Sequence, residues 1–162
     1  MILVVALAVR LGIGMFLGFN SAPDQAACGA DTVEFEYMAW SASQGNGFVL
    51  YDGGQPTAFR APGYPMLLSV VYKIFGRHYW VNRVMLSLFG MATCWLLYLL
   101  AVRMRLGEMT GLIAAFINAL LPLQFYWCGH FMSEPISSFM NVVLCLLLVI
   151  AYEKRSVVMP IA

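Results

Sequence analysis

Carboxylates and arginines gather in one polar stretch of an otherwise apolar chain. Asp31, Glu34, Glu36 and Asp52 stand within residues 31–65, DTVEFEYMAWSASQGNGFVLYDGGQPTAFRAPGYP; with Asp24 just upstream they make five of the eight acidic residues. Arg60 lies in the same stretch among prolines and glycines, and Lys73, Arg77, His78 and Arg83 follow it. His130 and Glu134 come later. A carboxylate at a membrane surface can take a proton as a general base or hold a divalent cation. The planar fork of an arginine suits a phosphate. Together these groups suit a lipid phosphate substrate that enters from a bilayer. Spacing alone leaves a second reading open, in which they are the solvated charges of a loop.

Composition decides which solvent applies. The 162 residues are 62% hydrophobic and 10% charged, with a mean hydropathy of +0.80. Soluble domains carry about 25% charged residues, and a core in so short a chain cannot hide this much apolar surface from water. Lipid is therefore part of the solvent. A net charge of +1 without a basic patch gives nucleic acid nothing to bind. The four cysteines show no CxxC or zinc spacing. Cys94 and Cys145 read as small hydrophobes inside apolar runs, whereas Cys28 and Cys128 could pair in an oxidising compartment.

The pattern predicts an all-α membrane protein: a single module with about four transmembrane helices at 2–19, 84–102, 109–125 and 135–152. A large first outer loop, 20–83, carries interfacial helices. Each run approaches the roughly 20 apolar residues that cross a bilayer. Arg10 interrupts the first and needs either the bundle interior or a snorkelling path. A cleaved signal peptide is the rival reading of that run, and the length of the run argues against it.

Within the loop, residues 33–43 read as a helix lying in the interface plane, with Val33, Tyr37 and Trp40 on one face. Gly45-Asn46-Gly47 ends it. Residues 48–51 read as a short strand, and Asp52-Gly53-Gly54 as a turn. Residues 66–75 form a helix too short to span, with Pro65 in its first turn. Tyr79 and Trp80 read as headgroup-level aromatics.

Arg103 and Arg105 follow the second crossing, and Lys154 and Arg155 the fourth. By parity they share a side, and short basic loops mark the cytoplasmic face. The expected location is the cytoplasmic (inner) membrane, multi-pass, with the polar stretch and His130 on the outer face. Glu134, between Ser133 and Pro135, reads as the N-cap of the fourth helix, where the helix dipole favours its ionised form. A cap and nothing more is the simpler role. His130 and Glu134 are weak candidates for a metal.

The run QPTAFRAPGYP at 55–65 resembles the PT-x-x-R-x-PGYP passage of C-type multi-pass glycosyltransferases. These are the glycosyltransferase family 39-like group of protein O-mannosyltransferases and aminoarabinose transferases. In the same order, Glu36-Tyr37-Met38-Ala39 with Gly45-Asn46-Gly47-Phe48 resembles that family's EY-x-x-A…G-x-GF. Arg83 in VNRVMLSLFG, Ser133-Glu134 and Arg10 resemble further family positions. The resemblance covers nearly the whole chain.

It implies inverting transfer from a polyprenyl-phosphate-linked sugar on the outer face, with an acid of the first outer loop as base. In some relatives a divalent metal takes part. It makes Glu34, Asp31 and Glu134 the catalytic candidates, and Arg60, Tyr64, Arg83 and Tyr37 the substrate-binding ones. Glu34 stands ahead of Asp31: it keeps the family's distance from Tyr37 and is expected in the first turn of the interfacial helix, with Asp31 on the loop before it.

Family members have more crossings, so the chain reads as an N-terminal catalytic module. Its expected partners are the donor, the bilayer, and further C-terminal helices or a partner subunit. The alternative is a non-catalytic small membrane subunit for assembly or binding. A small transporter would place more charges at mid-bilayer than Arg10 alone.

Overall fold

Glycine and proline set most helix ends in this chain. The structure is a computed structural model that describes residues 1–16, 21–22, 29–51 and 53–158, with backbone alone at 14 and 155–158. Seven helices are described: α1 (Ile2–Phe16), α2 (Ala30–Ser43), α3 (Gly63–Phe75), α4 (Tyr79–Arg103), α5 (Glu108–Leu120), α6 (Pro122–Gly129) and α7 (Glu134–Val158). The fold is all-α, as expected, and no strand occurs among the described residues. The strand expected at 48–51 is instead a folded-back loop. Phe48 accepts a bond from the Thr57 amide (2.8 Å), and Gly54 turns back onto the Tyr51 carbonyl (3.0 Å). Among the described residues no neighbouring strand is there to pair with it.

Two helices, α4 and α7, are long and apolar enough to cross a membrane, and α5 with α6 makes a third if the bent pair is one span. The expected count of about four is therefore two or three among the described residues. α1 has 15 residues, too few for a full crossing; the end of its expected run lies outside the described residues. The run expected to cross at 109–125 bends by 48°. Pro122 has no N–H, and its ring clashes with the carbonyl four residues back. Beyond the bend the chain re-enters a helix, α6, which runs on to Gly129, past the expected end of the crossing at 125.

α4 starts at Tyr79, one turn earlier than expected. Asn82 (0% exposed) and Arg83 (4% exposed) look like loop residues in sequence, but both are buried with partners inside the protein. α4 is also the hub, packing against α1, α3, α5, α6 and α7. α4 and α7 run parallel. Arg103 Nη1 lies 3.5 Å from Glu153 Oε2 at one end, and Phe89 meets Phe139 at 5.1 Å further along. At the other end Arg83 donates to the Gly129 carbonyl, just before α7 (3.0 Å). The polar stretch and the Gly129–Glu134 connection thus share one end of the molecule. Arg103, Arg105 and Glu153 share the other.

Arg10 is 1% exposed and directed into the bundle. It does not snorkel. Nη1 donates to the Ala6 (2.9 Å) and Ala119 (3.4 Å) carbonyls, and Nη2 to the Asn118 carbonyl (3.1 Å). Asn118 stands four residues before Pro122, so its carbonyl has no amide to accept from along its own helix. The guanidinium supplies the donor that proline removed. Backbone left open at membrane depth must find such a partner. Around it, Ala6, Cys94, Ala115 and Ala119 form a cluster of small residues that lets α1, α4 and α5 approach closely.

Candidate functional site

α2 begins one turn earlier than the sequence suggested, at Ala30. Asp31, expected on a loop, therefore stands in the first turn, and Glu34 sits in the turn after it. The two are three residues apart and share a face. Arg60, brought back by the loop that follows α2, lies between them. Its Nε donates to Glu34 Oε2 (2.6 Å) and its Nη2 to Asp31 Oδ1. The guanidinium also lies over the rings of Phe59 (5.0 Å) and Phe35 (5.8 Å). The hydrogen bond to Glu34, with the charges of both acids, raises the pKa of Arg60 against the opposing effect of lost hydration. The side chain of Asp31 is 42% exposed and that of Glu34 23%.

The buried residues of α2 are Thr32, Phe35, Glu36, Met38, Ala39 and Ser41, rather than the expected Val33, Tyr37 and Trp40. Glu36 can lie among them because Arg77 neutralises it. Nε and Nη2 of Arg77 each donate to a different Glu36 oxygen, both at 2.8 Å. Arg77 also lies over Trp40 (5.2 Å). Its pKa is raised, above all by the Glu36 hydrogen bonds. Thr32 is fully buried, and its hydroxyl donates to the His130 carbonyl. That bond ties the acid-bearing turn to the end of α6.

The remaining expected residues fall in different places. Tyr64 is buried, meets Phe35 edge-on at 5.3 Å and accepts a bond from Asn82 Nδ2 (2.9 Å). Arg83 directs donors to the main-chain carbonyls of Gly129 and Ser21 (3.0 Å each) and lies over Phe131. Tyr37 faces away, into a small cavity with Ser41, Asn46 and Tyr51. Glu134 is the first residue of α7 rather than its cap: the Ser133 carbonyl accepts the first helical bond, from Ser137 (3.0 Å). Its Oε2 is buried without a hydrogen-bond partner among the described residues. His130 is buried against Tyr126. No group of three or more His, Cys, Asp or Glu able to hold a metal occurs among the described residues. Asp24, Asp52 and Cys28 lie outside them. Cys128 is buried, and its thiol is directed at the Gln124 and Leu86 carbonyls.

Beside the Arg60 cluster runs an apolar groove of about 670 Å³ between α3 and the start of α7. Phe35, Ala61, Tyr64, Leu67, Ile136 and Met140 are among its lining residues. Phe35 belongs to both features, with one face of its surroundings to the groove and another to Arg60. A phosphate at Arg60 could therefore be followed by an apolar tail in the groove.

The family model described as dolichyl-phosphate-mannose-protein mannosyltransferase matches residues 59–161, more than half of the chain. The chain belongs to this family. No curated protein and no solved structure matches it. Membership of the mannosyltransferase family makes this a membrane glycosyltransferase sequence, in line with its apolar helices. The matched region holds Arg60, Tyr64, Arg83 and Glu134 and begins after α2, so it does not reach Asp31 and Glu34, which are tied to it by their bonds to Arg60. Sequence reasoning passed over Phe35 and Asn82, and it named Arg77 as a cation without pairing it with Glu36. The signal for Arg77 was Glu36, an acid on a helix face that otherwise packs.

Proposed function

We propose that the chain is the acid- and phosphate-binding part of a glycosyltransferase that takes a sugar from a polyprenyl-phosphate-linked donor. The observation that carries this reading is Arg60 held between Asp31 and Glu34 and stacked on Phe35, which lines an apolar groove. Arg60 uses Nε and Nη2 on the two acids, and its Nη1 makes no hydrogen bond among the described residues. That edge would take a donor phosphate oxygen while the polyprenyl chain lies along the groove. Tyr64, packed on Phe35 and bonded to Asn82, forms the groove wall.

Asp31 is the base in this reading. It is the more exposed of the two acids, so an acceptor hydroxyl can come within hydrogen-bond reach, about 3 Å. Glu34, the more buried of the two, orients Arg60 through its bond to Nε. As sugar transfers, the acceptor proton passes to Asp31, the acceptor oxygen bonds to the anomeric carbon, and the bond to the lipid phosphate breaks. The negative charge that develops on that phosphate falls beside Arg60. Arg83 acts indirectly, by fixing the Gly129 carbonyl next to the residue that anchors Thr32. Glu134, at the start of α7 with an unpaired oxygen, would orient the acceptor.

Cross-linking with a photoactivatable polyprenyl phosphate tests the binding half. Labelling should map to residues of the 63–70 and 133–141 segments. Arg60→Gln should weaken it about ten- to hundredfold, the loss of one charge-assisted contact. Arg60→Lys should restore part of it, because an ammonium lacks the fork. Unchanged labelling in folded Arg60→Gln protein would refute the role of Arg60.

A further inference from the structure

The end of the molecule away from the acids carries a second groove, of about 570 Å³, between the end of α4 and the second half of α7. Its floor is Leu148 and Val149, Tyr152 stands at its side, and Arg103 and Arg105 form its lip. Arg103 spends one nitrogen on Glu153. Arg105 is exposed and has no hydrogen bond or ion pair from its side chain among the described residues. Counting Arg103, Arg105 and Lys154 against Glu108 and Glu153, the charge here is positive.

The backbone at Arg105 is unusual for an arginine. α4 ends in a Schellman turn: the Leu106 amide bonds the Ala101 carbonyl and the Arg105 amide bonds the Val102 carbonyl, both at 3.0 Å. The residue at Arg105 must then adopt the left-handed conformation, and its φ is 59°. Glycine is the ordinary occupant of that position, because a β-carbon is disfavoured there. The negative end of the helix dipole would accept a cation anywhere in the last turn, so the dipole does not explain an arginine at the one strained site. The strained site points instead to a use for the side chain.

We propose that this groove binds the headgroup of an anionic bilayer phospholipid. Its phosphate would sit between Arg105 and Arg103, with one acyl chain laid along Leu148 and Val149. An anionic lipid suits the groove because the chain lies in a bilayer, the floor is apolar, the lip is cationic, and the end of α4 sets the lip at headgroup level. Basic pockets between membrane helices take anionic headgroups for these reasons. The groove is distinct from the one beside Arg60, which lies at the other end of α4 and α7.

The test uses the chain in nanodiscs of phosphatidylcholine and phosphatidylglycerol in equal parts, with native mass spectrometry counting the lipids that stay bound. Phosphatidylglycerol should be retained in excess. Arg105→Gly should lower that preference about fivefold, the share of one cation near an anionic headgroup, while leaving thermal stability equal or higher, because it relieves the left-handed arginine. Adding Arg103→Gln should lower it further. Lys73→Gln, which removes an exposed cation at the other end, should leave it unchanged. Equal retention of the two lipids would overturn the proposal. So would an Arg105→Gly preference equal to the parent's, or an equal loss in Lys73→Gln. Displacement of the retained lipid by a polyprenyl phosphate would also overturn it, by making the groove part of the donor site.

Discussion

Replacing Arg10 by methionine should destabilise the bundle, and Pro122 should decide by how much. Methionine keeps an unbranched apolar stem but is shorter than arginine, and it removes all three bonds of the guanidinium. The bond to the Ala6 carbonyl matters least, since that carbonyl lies four residues before Arg10 and already has the helix amide. The loss falls on the Asn118 and Ala119 carbonyls. A buried acceptor left without a donor costs about 1–3 kcal/mol, so two come to about 2–6 kcal/mol, reduced by the desolvation that a buried cation no longer suffers. In a Pro122→Ala background Asn118 can regain an amide from its own helix. The penalty for Arg10→Met should then shrink by about one carbonyl's share, about 1–3 kcal/mol. The coupling can be read from a double-mutant cycle, by unfolding the four proteins in mixed micelles under circular dichroism.

Gly90 gives an independent check. A β-carbon there would stand 2.4 Å from Arg10 Nε, so Gly90→Ala should displace the guanidinium and destabilise the parent by about 1–3 kcal/mol, but much less in the Arg10→Met background. An Arg10→Met penalty that is the same with proline or alanine at 122 would refute the account of Arg10 as the donor for the bend.

Two further outcomes follow from the same geometry. Arg77→Gln strands the buried Glu36 carboxylate and should cost about 2–4 kcal/mol in the same unfolding assay, below the full value for a fully buried pair because Arg77 is itself a third exposed; Glu36→Leu with Arg77→Leu should recover most of it, and failure to do so would assign the pair a role beyond neutralising Glu36. Single cysteines at Ser43 and Glu108 should be labelled by an impermeant maleimide from opposite sides of oriented vesicles, and labelling of both from one side would contradict the crossing of α4.

Much of the fold was legible because bilayer length and turn chemistry are local signals. Gly76 at φ 81° ends α3 where the sequence put a break, and α7 starts within one residue of the expected helix. The misreadings share a cause: long-range pairing overrides local polarity. Asn82 and Arg83 look like a loop until Tyr64 and the Gly129 carbonyl supply their partners. Glu36 looks solvent-facing until Arg77, 41 positions later, meets it. The bend at Pro122 was readable in principle, since proline cannot continue a helix without a lost bond. At the site, the residue types were visible in sequence, but their pairing was not. Nothing in spacing says that Asp31 and Glu34 share Arg60, because the loop between α2 and α3 makes that contact.

The most direct test of the central reading is sugar transfer from a polyprenyl-phosphate-linked donor, measured in membranes that express the whole product of the gene, this chain included. Asp31→Asn and Glu34→Gln keep the size of each side chain and remove the charge. At matched expression, Asp31→Asn should lower turnover by about 10²–10⁴, the usual share of a general base, while cross-linking to the photoactivatable polyprenyl phosphate persists. Glu34→Gln should weaken donor binding and leave a measurable rate. Near-normal turnover in Asp31→Asn with loss in Glu34→Gln would transfer the base to Glu34. Near-normal turnover in both would contradict the reading of this cluster as the catalytic site.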